Sequence, residues 1–283
     1  MSSESSFPAA PAAAAPASPT LGNNLTVMWR VVYALMLRES RTRYGKNDLG
    51  YLWALFDPLI QLGMFWIIFG LLQRVIPVPA TLPVFLVTGI LPYNFWRNTV
   101  ARSASAARAN TPLLTYPQVS VFDVIIARVL LDSATLVVVT IIFIIGLRFT
   151  TGEPFSHWQR VAILQASAVI TLFYFVFCSA IFSANFARIW PLWQQVWGYL
   201  SRPMYFATGI FFTLQSLPTG FRSLAQVLPM AHMLEWIRTA SIPGFVSTSY
   251  NPWYPISFGA VLLLLGMLMD WYLRLVGHSD EGR

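Results

Sequence analysis

The stretch RESRTRYGKNDLGYLWALFDPLIQLGMFWIIFG, residues 38–70, passes from a basic cluster into a long apolar run. The apolar run, taken as 51–73, is long enough to cross the hydrocarbon core of a bilayer as one helix, which needs roughly 20 residues. Five similar runs follow, at 82–101, 121–147, 161–185, 191–213 and 255–276. Because polar and apolar residues do not alternate along them, the sequence predicts an all-α integral membrane protein with six transmembrane helices and not a β-barrel.

The composition supports a lipid-facing protein. Of the 283 residues, 56% are hydrophobic and 10% are charged, whereas soluble domains carry about 25% charged residues. The net charge is +7, and Lys46 is the sole lysine. Most arginines flank the apolar runs, as they do beside cytoplasmic membrane surfaces. The basic balance therefore does not predict a nucleic-acid partner, and the arginine asymmetry predicts that both termini are cytoplasmic.

The segments around the six runs have different characters. Residues 1–23 are rich in Ala, Pro and Ser and are predicted to form a disordered tail. Residues 24–46 repeat apolar side chains at helical spacing with basic residues between them, which predicts an amphipathic helix in the membrane interface. The polar segment before the last run, about 222–243, is interrupted by prolines and predicts a re-entrant or interfacial pair of short helices. The transmembrane domain thus covers 24–276, and 277–283 is predicted to be a cytoplasmic tail.

Catalytic and cofactor motifs do not emerge from the sequence. Lys46 follows Gly45, but Ser40 stands where a P-loop needs its first glycine. The three histidines are scattered and Cys178 is the sole cysteine, so the sequence predicts no metal site and no catalytic residues. A membrane-embedded lipid or glycan enzyme stays open as a remote alternative.

Two runs carry polar and aromatic side chains at helical spacing. These candidate canal residues are Trp53, Asp57 and Gln61 in the first run, and Gln194, Ser201, Tyr205, Thr208 and Phe212 in the fifth. Aromatic faces and sparse hydrogen-bonding groups suit a sliding glycan, but the same residues could instead form contacts between helices. Because an ionised residue in a span is costly, Asp57 is expected to pair with an arginine near the cytosolic end.

The cytosolic side carries two further candidate sites. Arg38, Arg41, Arg43 and Lys46 could bind an acidic head group, since arginine holds phosphate or carboxylate with two hydrogen bonds. They could equally anchor the helix to anionic lipid. Between the second and third runs, Leu113, Leu114 and Tyr116 would expose apolar side chains to water, which predicts docking into another protein.

Residues 38–70 resemble the pattern R-x-R-Y-x-x-x-x-L-G-x-L-W-x-x-x-x-P that opens permeases of the ABC-2 type. The matching positions are Arg41, Arg43, Tyr44, Leu49, Gly50, Leu52, Trp53 and Pro58. The resemblance covers about 24–276 and is strongest to permeases that export capsular polysaccharide in Gram-negative bacteria. O-antigen exporters and other ABC-2 glycolipid or drug exporters share the fold and remain alternatives.

The resemblance implies a set of partners. It implies a homodimer in the inner membrane, with two copies of a separate ATPase subunit that binds ATP and Mg below it. We expect the loop of Leu113, Leu114 and Tyr116 to dock into that ATPase. It implies an acidic lipid-linked polysaccharide as cargo, moving along a canal lined by spans one and five. A periplasmic co-polymerase and an outer-membrane channel would continue the path.

Overall fold

A computed structural model describes residues 21–44, 49–110, 119–151 and 162–280, with side chains placed for 26–41, 56–110, 119–149 and 163–276. All regular structure in these ranges is helical, which confirms the predicted all-α class. The helices are α1 (Leu21–Tyr44), α2 (Leu49–Leu71), α3 (Leu82–Ala104), α4 (Ala106–Ala109), α5 (Val121–Thr151), α6 (Ala162–Ile189), α7 (Trp193–Ala207), α8 (Thr219–Gln226), α9 (Pro229–Ser241) and α10 (Trp253–Asp280), with a 3-10 turn at Leu214–Ser216.

Helix α3 forms the centre of the molecule. It is buried along most of its length, and it packs against α2, α5, α6, α7 and α9. Pro83 lies in its first turn, where a proline costs no backbone hydrogen bond. The other long helices are therefore arranged around α3, and their contacts with it decide which faces remain open.

Two apolar clusters mark opposite ends of the molecule. At the α1 end, Leu35 of α1 packs with Val124 near the start of α5 and Ala184 near the end of α6. At the α9 end, Val84 at the start of α3 packs with Leu147 near the end of α5. The long helices α2, α3, α5 and α6 therefore alternate in direction along the chain.

Helices α7 and α10 continue this alternation. Trp193, at the start of α7, donates a hydrogen bond to Ser183 near the end of α6 at 2.8 Å. The segment after α7 reaches the α9 end, where Arg74 donates to the carbonyl of Phe211 at 2.7 Å. Helix α10 returns, because its Asp270 forms an ion pair with Arg188 at the end of α6 at 2.8 Å.

Three helical stretches in the described residues are long and apolar enough to cross a membrane, judged by length and composition: Val121–Phe149, Ile163–Ile189 and Trp253–Val276. The predicted runs 51–73, 82–101, 121–147, 161–185 and 255–276 each form one helix, with ends shifted by a few residues. Helix α1 begins at Leu21, inside the predicted tail, and α10 continues to Asp280, inside the predicted 277–283 tail. The rest of the N-terminal tail lies outside the described residues.

The fifth predicted span, 191–213, is wrong beyond Ala207. Helix α7 has 15 residues, which at 1.5 Å per residue gives about 22 Å, short of a hydrocarbon core of about 30 Å. Its last turn is followed by Gly209 with φ +87°, a backbone conformation that glycine adopts without strain. The chain therefore bends at residues 208–213.

The polar segment about 222–243 does form two short helices, α8 and α9. Helix α9 is buried over nearly all of its 13 residues and packs against α3, α6 and α10. Its charged residues Glu235 and Arg238 are therefore buried within the chain. Whether the two helices are re-entrant or interfacial stays a prediction.

Helix α10 approaches α6 closely at Gly266, and this contact gives a prediction on stability. A Cβ at Gly266 would lie 2.9 Å from Ile181 Cγ2 and 3.0 Å from the Phe182 nitrogen. Gly266→Ala should therefore push the two helices apart and destabilise the fold by about 1–3 kcal/mol, as overpacking does. The measurement is the melting temperature in detergent. The control is Gly70→Ala on α2, where nothing lies within 4 Å; equal melting temperatures for both variants would contradict the packing.

Candidate functional site

A hydrogen-bonded chain joins α2, α3 and α7. Asn94 Nδ2 on α3 donates to Gln61 Oε1 on α2 at 2.6 Å, and Gln61 Nε2 donates to the Tyr205 hydroxyl on α7 at 3.2 Å. The Tyr93 hydroxyl donates to the carbonyl of Ser201 at 2.6 Å. The structure thus brings together Gln61 and Tyr205, which the sequence assigned to two separate polar faces.

Aromatic rings surround this chain of hydrogen bonds. The ring centroid of Tyr205 lies 5.2 Å from that of Tyr93 and 5.5 Å from that of Phe211. Phe65 on α2 lies 4.7 Å from Phe211. Edge-to-face and tilted pairs of this kind add about 0.5–1.5 kcal/mol each beyond burial. The junction of α2, α3 and α7 is therefore a well-packed aromatic cluster with a polar centre.

The predicted canal face of α7 is buried within one chain. Ser201, Tyr205 and Thr208 are 4%, 5% and 1% exposed. Phe212 lies past the end of the helix, so its assignment to a helical face was wrong, whereas Gln194 is exposed at the helix start. These contacts support the alternative that the polar residues join helices, and a canal role for them stays a prediction.

The open face of α7 lies elsewhere. Four of the exposed side chains of α7 recur at i, i+4, i+7 and i+11: Gln195, Tyr199, Arg202 and Phe206. Tyr199 and Phe206 are 74% and 61% exposed. This face was not among the sequence predictions, although two aromatics, an amide and an arginine at helical spacing indicate it.

The remaining residues of the predicted canal are Asp57 and Trp53 on α2. Asp57 on α2 is exposed, and no described residue forms the arginine pair that the sequence predicted for it. The side chain of Trp53 lies outside the described residues. So do the side chain of Arg43 and the whole of Lys46, Leu113, Leu114 and Tyr116.

At the α1 end, side chains of α1 hold the start of the predicted docking loop. Arg38 donates to Asn110 Oδ1 at 2.9 Å, and Asn110 donates to the carbonyl of Ala106 at 2.9 Å. Glu39 forms an ion pair with Arg128 of α5 at 3.1 Å. Arg38 therefore holds Asn110, the last described residue before the loop, a contact that the head-group hypothesis did not include, while Arg41 is exposed.

The far end of the same loop is fixed by a capping box at the start of α5. The Ser120 nitrogen donates to Asp123 Oδ2 at 2.8 Å, and the Asp123 nitrogen donates to Ser120 Oγ at 3.2 Å. This reciprocal arrangement satisfies two backbone donors at a helix N-terminus. Both ends of the loop that carries Leu113, Leu114 and Tyr116 are thus held by side chains.

Carboxylates pair with other arginines near the α1 end. Asp132 accepts from Thr99 at 2.8 Å and pairs with Arg102 at 2.8 Å. Asp270 pairs with both Arg188 and Arg274 at 2.8 Å. None of these pairs was predicted from the sequence. The one sequence signal for them is the i, i+4 spacing of Asp270 and Arg274.

At the α9 end, Arg238 binds the bend that follows α7. Its guanidinium is fully buried and donates to the carbonyls of Gly209 and Ile210 at 2.6 Å each and of Phe212 at 2.8 Å. It also lies 4.1 Å from the ring centre of Phe85. A planar group with several fixed donors suits this set of carbonyls. Arg238 therefore holds the non-helical segment in place.

Glu235 completes the same network. It lies 4.0 Å from Arg238 and accepts hydrogen bonds from the Leu214 nitrogen at 3.0 Å and from Ser247 Oγ at 3.1 Å. The carboxylate thus links α9 to the segments on both sides of it. The sequence showed these charges only as a polar interruption.

An apolar cavity of about 280 Å³ lies between α2, α3 and α5. Its lining includes Leu59, Trp66, Leu86 and Phe143, with glycines at Gly63 and Gly146. This cavity offers no charged side chain to a sugar or a metal ion. Within the described residues, three or more His, Cys, Asp or Glu side chains do not gather in one place.

Comparison with known proteins identifies the family. The model of the ABC-2 type transporter family matches residues 30–241. The chain belongs to this family. Among its relatives, the polysialic acid transport protein KpsM of Escherichia coli is 34% identical over 240 residues, which are 84% of this chain and 91% of the relative.

Two further relatives of this ABC-2 protein differ in their sequence identity to it. The capsule polysaccharide export inner-membrane protein CtrC of Neisseria meningitidis serogroup B is 31% identical over 251 residues, 87% of this chain and 92% of the relative. The O-antigen export system permease protein RfbA of Klebsiella pneumoniae is 21% identical over 252 residues, 86% and 92% of the two chains. The resemblance seen in residues 38–70 is thus confirmed.

Burial of Thr208 in this ABC-2 protein gives a second prediction. Thr208→Trp adds a large ring where the side chain is 1% exposed, so it should cost at least about 1–3 kcal/mol through overpacking. We expect less folded protein in the membrane and a lower melting temperature. Leu264→Trp, at a position of α10 that is 62% exposed, should leave both unchanged. A Thr208→Trp variant as abundant and as stable as the Leu264→Trp variant would place Thr208 on an open surface instead.

The Arg238 network gives a third prediction. Arg238→Met leaves Glu235 buried without its cation and removes the donors to three carbonyls, so it should destabilise the protein by about 3–5 kcal/mol. Limited proteolysis should also become faster in the segment 208–217. The matched control is Arg30→Met, at an exposed position of α1. Equal proteolysis of the two variants would show that Arg238 does not hold the bend.

Proposed function

We propose that this chain is the membrane subunit of an ABC exporter that carries an acidic, lipid-linked capsular polysaccharide across the inner membrane of a Gram-negative bacterium. The observation that carries this proposal is the difference in similarity among relatives. Proteins named for polysialic acid or capsule export are 34% and 31% identical to this chain, and the O-antigen permease is 21% identical, over similar shares of their lengths. An O-antigen or other ABC-2 glycolipid or drug exporter is the second candidate.

A separate ATPase supplies the energy in this proposal. The chain carries no P-loop sequence, so ATP and Mg would bind to two copies of a partner subunit. The loop of Leu113, Leu114 and Tyr116 is the proposed docking site. Support comes from its ends, which Asn110 and the Ser120 capping box hold in place. A loop fixed at both ends can transmit a movement of the ATPase to α3, α4 and α5.

We place the α1 end in the cytoplasm and the α9 end in the periplasm, with six membrane passes. The alternation of α2, α3, α5, α6, α7 and α10 supports this topology. So does the distribution of charge, because the described arginines at the α1 end outnumber those at the α9 end. The first set is Arg30, Arg38, Arg41, Arg102, Arg108, Arg128, Arg188 and Arg274, and the second is Arg74, Arg148, Arg222 and Arg238. Positive charge collects on the cytoplasmic side of membrane proteins.

The cargo would pass between two copies of the chain. In this homodimer, α2 and α7 line the canal, and a periplasmic co-polymerase and an outer-membrane channel extend the path. The aromatic and amide side chains on the open face of α7 fit a glycan that must slide, because few of them would hold it with charge-assisted bonds. Arg41 is exposed and is the candidate for an acidic head group or for anionic membrane lipid at the entrance.

Deleting the gene in the source organism tests the function. We expect surface capsule to disappear and lipid-linked polymer to accumulate inside the cell, as immunoblots of intact and lysed cells would show. The wild-type gene should restore capsule. A variant in which Leu113, Leu114 and Tyr116 are all alanine should fail to do so, because truncation of buried apolar anchors typically costs about 2 kcal/mol or more each in binding.

The controls separate the candidate functions. O-antigen, followed in the same cells, should remain at the surface. Loss of O-antigen with intact capsule would overturn the cargo assignment in favour of the second candidate. Intact export of both polymers after deletion would overturn the exporter role itself.

A further inference from the structure

Two opposite charges lie at the same level on neighbouring helices. Helices α2 and α7 run in the same direction, and the hydrogen bond between Gln61 and Tyr205 fixes their relative height. Asp57 precedes Gln61 by four residues, and Arg202 precedes Tyr205 by three. At 1.5 Å per residue both charges lie about 5 Å below that bond, roughly one helical turn.

Neither charge has an ion-pair partner among the described residues. Asp57 and Arg202 are both exposed, and the ion pairs formed within the described part of the chain involve other residues. This sets them apart from Asp132, Asp270 and Glu39, which each pair with an arginine.

The surroundings of both charges are apolar or aromatic. Phe56 and Ile60 beside Asp57 are 49% and 57% exposed, and Tyr199 and Phe206 beside Arg202 are 74% and 61% exposed. Such faces would contact lipid or protein in a membrane, and an isolated charge among lipid tails is expensive. Ionisable residues in membrane helices therefore pair with one another or face a protein interior.

We propose that Asp57 of one protomer pairs with the partner's Arg202, so that α2 of one copy contacts α7 of the other at the level below the Gln61–Tyr205 bond. In a twofold dimer each contact occurs twice, so one interface would hold two such pairs and leave no net charge. The charges lie at one level and have opposite sign, which is the complementarity that a self-association of this face requires. The inference rests on the homodimer of the proposed function and assigns two residues to the contact between its protomers.

The pair also removes a difficulty in the transport path. A free carboxylate on α2 would repel an acidic glycan, whereas a carboxylate neutralised by the partner's Arg202 would not. The alternative is that Arg202 binds the anionic groups of the glycan directly, leaving Asp57 unpaired. The two arrangements differ in whether the charges lie near each other across the dimer.

Cross-linking between differently tagged copies tests the pair directly. Two full-length chains, each carrying Cys178→Ser, are co-expressed, one with Asp57→Cys and the other with Arg202→Cys. A short bifunctional thiol reagent, applied to membranes, should give a product that carries both tags. The control replaces the second chain by one with Val261→Cys, on the exposed face of α10. No doubly tagged product, or as much of it from the control, would overturn the proposal whatever the cargo is.

Charge exchange tests whether the pair matters for transport. Asp57→Arg and Arg202→Asp should each lose most surface capsule and most dimer in detergent, because each places like charges opposite one another. The double variant restores opposite charges and should recover both. If Arg202→Asp loses export, keeps the dimer and is not rescued by Asp57→Arg, Arg202 binds the glycan and the pair is refuted. The dimer and cross-linking measurements do not depend on capsule, so failure of the proposed cargo is distinguishable from failure of the pair.

Discussion

A helix that is buried along most of its length must have its buried polar side chains satisfied by its neighbours, and α3 imposes this constraint on the chain. Tyr93 and Asn94 bond to α7 and α2, whereas Trp96 and Thr99 bond to α6 and α5. In a low-dielectric interior an unpaired polar group is costly, so each bond fixes which neighbour lies on which side. The order of helices around α3 follows from these few polar atoms, and the large apolar surfaces fill the space between them.

The length of the apolar runs predicted most of the helices, because a long apolar segment in lipid must satisfy its backbone hydrogen bonds within itself, as a helix does. The end of α7 could not be predicted in this way. The length of an apolar run carries no information on the turn of the backbone at Gly209. Nor does it show that Arg238, almost 30 residues later in sequence, binds three backbone carbonyls that no longer bond within a helix. The burial of Ser201 and Tyr205 was equally inaccessible, since a stripe of small and polar residues suits a helix contact and a canal alike.

The arginines of this chain both make one end of the molecule more basic and join helices through specific partners, and composition does not separate these two roles. Counting them along the sequence predicted which end is more basic, and the structure assigns many of them to specific partners. Arg102 and Arg188 lie beside Asp132 and Asp270, and Arg238 lies on carbonyl oxygens. Each pair joins two helices that are distant in sequence, so its partner is visible only in three dimensions. The charge asymmetry and the helix packing are thus produced by the same residues.

The bend after α7 meets a condition that a helix too short to cross the bilayer would need inside a membrane. Non-helical backbone at that depth is tolerated only where protein satisfies its carbonyls. Arg238 does this for Gly209, Ile210 and Phe212, and Glu235 accepts from Leu214 where the chain leaves the bend. Because these backbone groups are already bonded within the chain, few of them are left to hold another molecule. If the polymer passes this bend, as the proposed function requires, a bend saturated from within the protein favours its passage over its retention.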